Sequence, residues 1–237
     1  MKILIKMPTR GRPEKFFKLL DICIQKFSKD NTYQILVSCD VDDLSMNDND
    51  VRNKLDSYNS LSYFFSPRGS KIEACNRDIE KANYWDVVIL LSDDMMIVAD
   101  NWDKYISDGF AEYFPDTDGV IWLFDGHRDD INTLCILGNL YYKRFGYIYH
   151  TDYKSFYCDN EFTNVANILN KQQKYKWPEI IIEHQHYSFS PNFIKLPKHV
   201  KKTNPLFGAD VTYIENRPDL KHDIEVFNKR QEVNYGL

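Results

Sequence analysis

The sequence predicts an α/β fold, an open and mostly parallel sheet with helices on both faces. Three observations predict it. Residues 1–125 alternate short apolar runs with amphipathic ones in strand–helix order. The run Trp85–Leu91 (WDVVILL) is apolar on both faces, as a central parallel strand is. Polar residues gather just after three predicted strands, where open α/β sheets bind ligands.

Each element has its own signal. Lys2–Met7, with its β-branched Ile, predicts the first strand, and the Pro and Gly content of Pro8–Pro13 predicts a loop. Glu14–Lys26 carries apolar residues at 16, 17, 19, 20, 22, 23 and 24, the pattern of a buried helix. Tyr33–Ser38 and Leu61–Phe65 predict strands two and three, with a helix over Asp48–Tyr58 between them. Helices follow over Ser70–Lys81 and Asn101–Phe114, on either side of the Trp85–Leu91 strand, and Gly119–Phe124 predicts another strand. The second half is rich in aromatics and less regular. It predicts a helix over Asn164–Asn170, a strand over Glu179–Glu183, an extended stretch over 191–217 and a polar helix over Asp219–Gln231. No repeat or long linker separates two free domains. The division expected is a ligand-binding α/β half over 1–125 and a second half over 126–237 that covers one end of the first sheet.

Composition narrows the class. At 237 residues, with 43% apolar and 27% charged, the chain is globular and long enough for a sizeable core. A net charge of -5 argues against broad wrapping of nucleic acid. Residues 151–237 carry 12 Lys and Arg against 11 Asp and Glu, which leaves the acidic excess in the first 150. The five cysteines are odd in number, widely spaced and lack any CxxC, so reduced thiols in a cytoplasmic protein are expected rather than a disulfide scaffold or structural zinc. The opening MKILIKMPTRGRP is broken by Lys6 and Pro8, unlike a signal peptide, and no apolar run approaches the ~20 residues that span a bilayer.

Several clusters carry chemistry. Asp93 and Asp94 adjoin the end of the most apolar strand, where two neighbouring carboxylates call for positive compensation. A divalent cation such as Mg2+ or Mn2+ supplies it economically; the plainer alternative is a capped turn. His184 and His186 follow a strand, and period-two alternation sets them on one face, so they form a candidate metal pair. Asp159 and Glu161 stand just before a predicted helix, where a carboxylate either caps the helix or acts as a general base. Thr9 and Arg10 follow strand one, and Asp40 and Asp42 follow strand two. Arg10, Arg12, Arg68, Lys71 and Arg77 are candidates to pair with a diphosphate.

In this order the motifs resemble the GT-A glycosyltransferases, most closely the small family 2-like enzymes of bacteria and phages. KILIKMPTRGRP is similar to their first strand and nucleotide loop, and SCDVDD to the second-strand loop whose Asp contacts the base. KIEACNRDIE resembles the helix that carries a basic residue and an Asn near the donor, here Lys71 and Asn76. LLSDDMMI resembles the DxD metal motif in a Ser-Asp-Asp form, and ILGNLYYKRFGYI the acceptor-side segment. YCDNEF is similar to the segment that supplies the base in inverting members, with Cys158 where the family often has Glu. EHQHY resembles the late His of the metal shell. The matches span residues 1–190.

The resemblance implies a mechanism. Thr9, Arg10 and Asp40 would hold base and ribose, with Arg12, Asp42, Lys71 and Asn76 also on the donor side. Asp94 and His186 or His184 would bind Mn2+ or Mg2+ on the diphosphate, and Asp93 would join them or contact the donor ribose or sugar. Asp159, rather than Glu161, would take the proton from the acceptor hydroxyl, with inversion. The donor implied is a nucleoside diphosphate sugar, UDP-linked by preference. Basic runs at Lys171–Lys176 and Lys195–Lys202 suit an anionic acceptor such as hydroxymethylated phage DNA, alongside glycans and lipid-linked sugars. The competing readings are a nucleotidyltransferase, which would show a more Gly-rich first loop, and a sugar-nucleotide-binding protein without turnover.

Overall fold

A computed structural model of the chain describes residues 1–174, 180–185 and 216–237. The first strand, β1 (Lys2–Pro8), is followed by α1 (Pro13–Gln25), β2 (Thr32–Asp40), α2 (Asn49–Asp56) and β3 (Leu61–Ser66). Next come α3 (Lys71–Asn76), β4 (Val87–Leu90), β5 (Met95–Ile97), α4 (Trp102–Tyr113), β6 (Val120–Trp122) and β7 (Ile136–Gly138). The chain continues through α5 (Asn139–Phe145), α6 (Cys158–Ile168), β8 (Gln172–Lys174), β9 (Ile182–His184) and α7 (Leu220–Glu232).

Seven strands form one sheet in the order β3-β2-β1-β4-β7-β6-β8. Strands β1 to β4 are mutually parallel. Strand β7 runs antiparallel to both β4 and β6, and β8 is parallel to β6. The mostly parallel sheet expected from residues 1–125 is therefore present. The later residues do more than cover its end, because β7 and β8 lie within the sheet. A second, two-stranded sheet pairs β5 antiparallel to β9. No helix among the described residues is long and apolar enough to cross a membrane.

Period-two alternation sorts the strand side chains into two cores. On β1, Ile3, Ile5 and Met7 join one face with Val87, Ile89, Ile35 and Val37; Leu4 joins the other with Val88, Leu90 and Leu36. The first face is covered by α1, whose Phe16, Leu19, Leu20 and Cys23 recur at helical spacing, and by Trp102, Ile106 and Phe110 of α4. Pro13 begins α1, a position where its missing N–H costs nothing. The second face is covered by Ile72 and Cys75 of α3, Tyr141 of α5 and Phe162 of α6. Full burial of each such side chain is worth about 1.5–3 kcal/mol. Gly138 is required where β7 meets the turn at Thr117, since an added Cβ would stand 2.0 Å from the Thr117 carbonyl oxygen.

The helix expected over Ser70–Lys81 is shorter. Ser70 and Glu73 form a capping box that starts α3, as the S-x-x-E spacing allows. The helix stops because Arg77 is extended and Asp78 adopts a left-handed backbone, with φ 69°. A short 3-10 turn over Ile79–Lys81 follows. Asp78 is held there by the Ser38 hydroxyl at 2.5 Å and the Lys81 ammonium at 2.6 Å. The helix expected from Asn164 begins earlier, at Cys158, so Asp159 and Glu161 lie in its first turn.

Candidate active site

The carboxyl ends of β1, β2 and β4 open into a cavity of about 340 Å³. Pro8, Thr9 and Arg10 line it from β1, Asp40 from β2, and Ser92 and Asp94 from beyond β4. Arg12, Arg68, Ser70 and Lys71 contribute from the first loop and the start of α3. Ser155, Phe156, Tyr157 and Asp159 close it from the start of α6, and His184 from β9. Of the residues singled out in the sequence, Thr9, Arg10, Arg12, Asp40, Lys71, Asp94, Asp159 and His184 converge here.

On one side Asp40 is clamped between two arginines. Arg10 Nη1 lies 3.1 Å from Asp40 Oδ2 and 2.7 Å from Asp42 Oδ1. Arg77 Nη2 donates to Asp40 Oδ1 at 2.8 Å and to the Cys39 carbonyl at 2.8 Å. Arg77, a candidate for the diphosphate by sequence, serves Asp40 instead; the broken α3 helix aims it there. The Thr9 hydroxyl is buried, lines the cavity and has no hydrogen-bond partner among the described residues. Leaving such a group unsatisfied costs about 1–3 kcal/mol, so its position favours a ligand with a polar edge.

In the same cavity the second sheet builds a carboxylate–imidazole pair. Antiparallel pairing sets Met95 opposite His184, and the Gln185 N–H donates to the Asp94 carbonyl at 2.7 Å. His184 Nε2 therefore stands 3.6 Å from Asp94 Oδ2. The Ser92 hydroxyl donates to the other Asp94 oxygen. Burial pushes the Asp94 carboxyl up, but the facing His184, with Lys71 and Ser92, outweighs it and holds it well below the usual carboxylate range. Burial likewise opposes charge on His184, and Asp94 and then Asp125 raise it above its ordinary value.

Asp125 was not apparent from sequence, although it lies beyond a strand as the other site aspartates do. Its carbonyl accepts the His184 N–H at 2.9 Å, and its Oδ2 lies 3.9 Å from His184 Nδ1. The Asp125 carboxylate is itself fixed by the His127 and Arg128 N–H groups and the Thr133 hydroxyl.

A mixed oxygen and nitrogen donor pair such as Asp94 and His184 fits Mn2+ chemically. Among the described residues no group of three or more His, Cys, Asp or Glu side chains is arranged to hold a metal. An ion bound by this pair would complete its shell with waters or substrate oxygens. His186 lies outside the described residues, as do Lys195–Lys202 and the last two residues of Lys171–Lys176.

Besides Arg77, four expected residues do not line the cavity. Asp93 is buried against Arg12, with Arg12 Nη2 2.6 Å from Oδ1, so its charge is compensated by a guanidinium. Asp42 is exposed and bonded to Arg10. The Asn76 side chain bridges the backbone of Ile148 and Tyr149. Glu161, at the buried base of α6, accepts from the Tyr153 hydroxyl at 2.7 Å and from Arg230.

No protein-family model and no curated protein matches the sequence. Solved structures do. A mannosyltransferase from Pyrobaculum calidifontis, PcManGT, in complex with GDP-Man and Mn2+, superposes with a TM-score of 0.60 at 15% identity, over 77% of this chain and 56% of that one. S. aureus TarS 1-349 in complex with UDP gives a TM-score of 0.59 at 15% identity, over 77% and 60%. The same protein in complex with UDP-GlcNAc gives 0.58 at 17% identity, over 77% and 58%. The chain thus spans less than two thirds of the length of these neighbours. By its superposition on these structures, this chain has the fold of the GT-A glycosyltransferases.

Proposed function

We propose that the chain transfers a sugar from a nucleoside diphosphate sugar to an acceptor hydroxyl, with inversion at the anomeric carbon. One observation carries the reading. The clamped Asp40, the Asp94–His184 pair and Asp159 face a single cavity at the carboxyl ends of the strands. The nucleotide-sugar complexes of PcManGT and TarS support the same donor class.

Each residue then has a task. Asp40 accepts a hydrogen bond from the base edge while Arg10 and Arg77 hold its carboxylate oriented. The unsatisfied Thr9 hydroxyl bonds the nucleoside. Lys71, exposed to the cavity, attracts the diphosphate. Asp94 and His184 would hold Mn2+ or Mg2+, which when bound neutralises charge on the departing diphosphate. Asp159, half-buried at the start of α6, accepts the proton of the acceptor hydroxyl. The hydroxyl oxygen bonds to the anomeric carbon as the bond from that carbon to the diphosphate oxygen breaks. The nucleoside diphosphate leaves with that electron pair, and one displacement inverts the centre.

A thermal-shift panel of UDP-, GDP- and other nucleoside diphosphate sugars, each with and without Mn2+, tests the reading. One nucleotide class should raise the melting temperature in a metal-dependent way. Asp94→Ala should remove the metal-dependent part, and Asp159→Asn should keep donor binding while losing turnover. No shift with any donor would overturn the proposal. Acceptor screening then begins with modified DNA, followed by glycans and lipid-linked sugars.

A further inference from the structure

Asp223 lies in the first turn of α7, is 0% exposed and does not line the cavity. Its carboxylate accepts three consecutive backbone N–H groups: Lys154 at 2.9 Å, Ser155 at 2.8 Å and Phe156 at 2.7 Å. His222 Nδ1 lies 2.9 Å from its Oδ1. Ser155, Phe156 and Tyr157 all line the cavity, and Asp159 follows two residues later. This turn enters α6 through Tyr157 at φ 60°, a left-handed conformation that Tyr rarely adopts. Such a conformation persists only where its surroundings impose it. Asp223 supplies the backbone restraint, and Phe227 of the same helix supplies a ring contact to Tyr157 at 5.3 Å between centroids. The far side of the turn is tied to α3, where the Ile72 N–H donates to the Lys154 carbonyl at 3.2 Å.

We infer that Asp223 is a positioning residue for sugar transfer: by gathering the amides of 154–156 it sets the turn that carries Asp159 to the acceptor side of the cavity. The inference rests on Asp159 being the base. It requires no contact between Asp223 and substrate. Misplacing a reacting group by about 1 Å can cost on the order of 100-fold in rate, while the donor site on β1 and β2 stays intact.

The test uses the full chain and hydrolysis of UDP-GlcNAc, or of GDP-Man if that is the donor that shifts the wild-type melt. Wild-type hydrolysis is measured first; its absence would overturn the reading of Asp159 and this inference with it. Asp223→Asn, an isostere, and Asp223→Ala are then compared. Hydrogen exchange at the amides of Ser155 and Phe156 should quicken in both. The kcat should fall about 10–100-fold, with donor KM and the donor-induced thermal shift within about twofold of wild type. Unchanged kcat in a variant whose 155–156 amides have lost protection would overturn the inference. Equal losses in kcat and in donor affinity would also overturn it, as they mark general loosening of the fold.

Discussion

Replacing Glu161 with Gln separates the two carboxylates at the start of α6. In the structure Glu161 anchors α7. Its Oε2 accepts from the Tyr153 hydroxyl at 2.7 Å, and Arg230 reaches both oxygens, with Nε at 2.7 and 2.9 Å and Nη2 at 2.7 Å. The side chain is 5% exposed, and that of Arg230 15%. Removing one partner of a buried pair costs about 3–5 kcal/mol. Gln keeps one carbonyl oxygen for Arg230 or Tyr153, so about 2–3 kcal/mol of that loss should remain. For a chain of this size, each kcal/mol moves the melting temperature by about 2–4 °C, so Glu161→Gln should melt roughly 5–10 °C lower. Urea unfolding gives the free energy directly. Turnover assayed well below the lowered melting point should stay near wild type, in contrast to Asp159→Asn. A Glu161→Gln protein of unaltered stability and abolished turnover would refute the assignment and move the base to Glu161.

Two further outcomes follow from the network around Asp40 and Ser38. Arg77→Leu removes one of the two guanidiniums on Asp40 without touching the cavity wall; calorimetric titration should show nucleotide binding about tenfold weaker, or ~1.4 kcal/mol, and unaltered affinity would refute the clamp. Lys6 is 0% exposed on β1 and donates to Ser38, and burial pulls its ammonium from 10.5 down to about 8. Below pH 8 both folded and unfolded chains hold the proton and the folded state bears the desolvation cost. Between about 8 and 10.5 the unfolded chain binds more proton, so stability should rise with pH by up to about 3 kcal/mol. Lys6→Met should flatten that rise in urea melts, and a slope unchanged by the substitution would refute the cause.

The parts of this protein legible in the sequence are those whose signal is local. The alternation of β1, β2 and β4 between two cores is written as period two, and α1 as helical spacing, so both elements are found where expected. Strand ends bearing Thr9, Asp40 and Asp94 were likewise readable, because polar residues abruptly follow apolar runs. What was not legible depends on contacts distant in sequence. Asp93 and Asp94 are equivalent as neighbours in the chain. They part only because Arg12 reaches the first and β9 brings His184 to the second.

The same reasoning applies to Asp159 and Glu161. Two residues apart in an α-helix point about 200° from each other, so only one can face the cavity. Which one is decided by Arg230 and Tyr153, neither of which has a local signature. The helix over Ser70–Lys81 fails for a related reason. Its propensity is outweighed where Asp78 turns back to Ser38 and Lys81 and frees Arg77 to reach Asp40. Local preference gives way at the point where Arg77 reaches Asp40, and such conflicts between levels are expected at functional sites. The left-handed Tyr157, two residues before Asp159 and lining the same cavity as Asp40, is a second conflict of this kind. The two breaks in local rule thus serve the two proposed sides, one through Asp40 and the other just before Asp159.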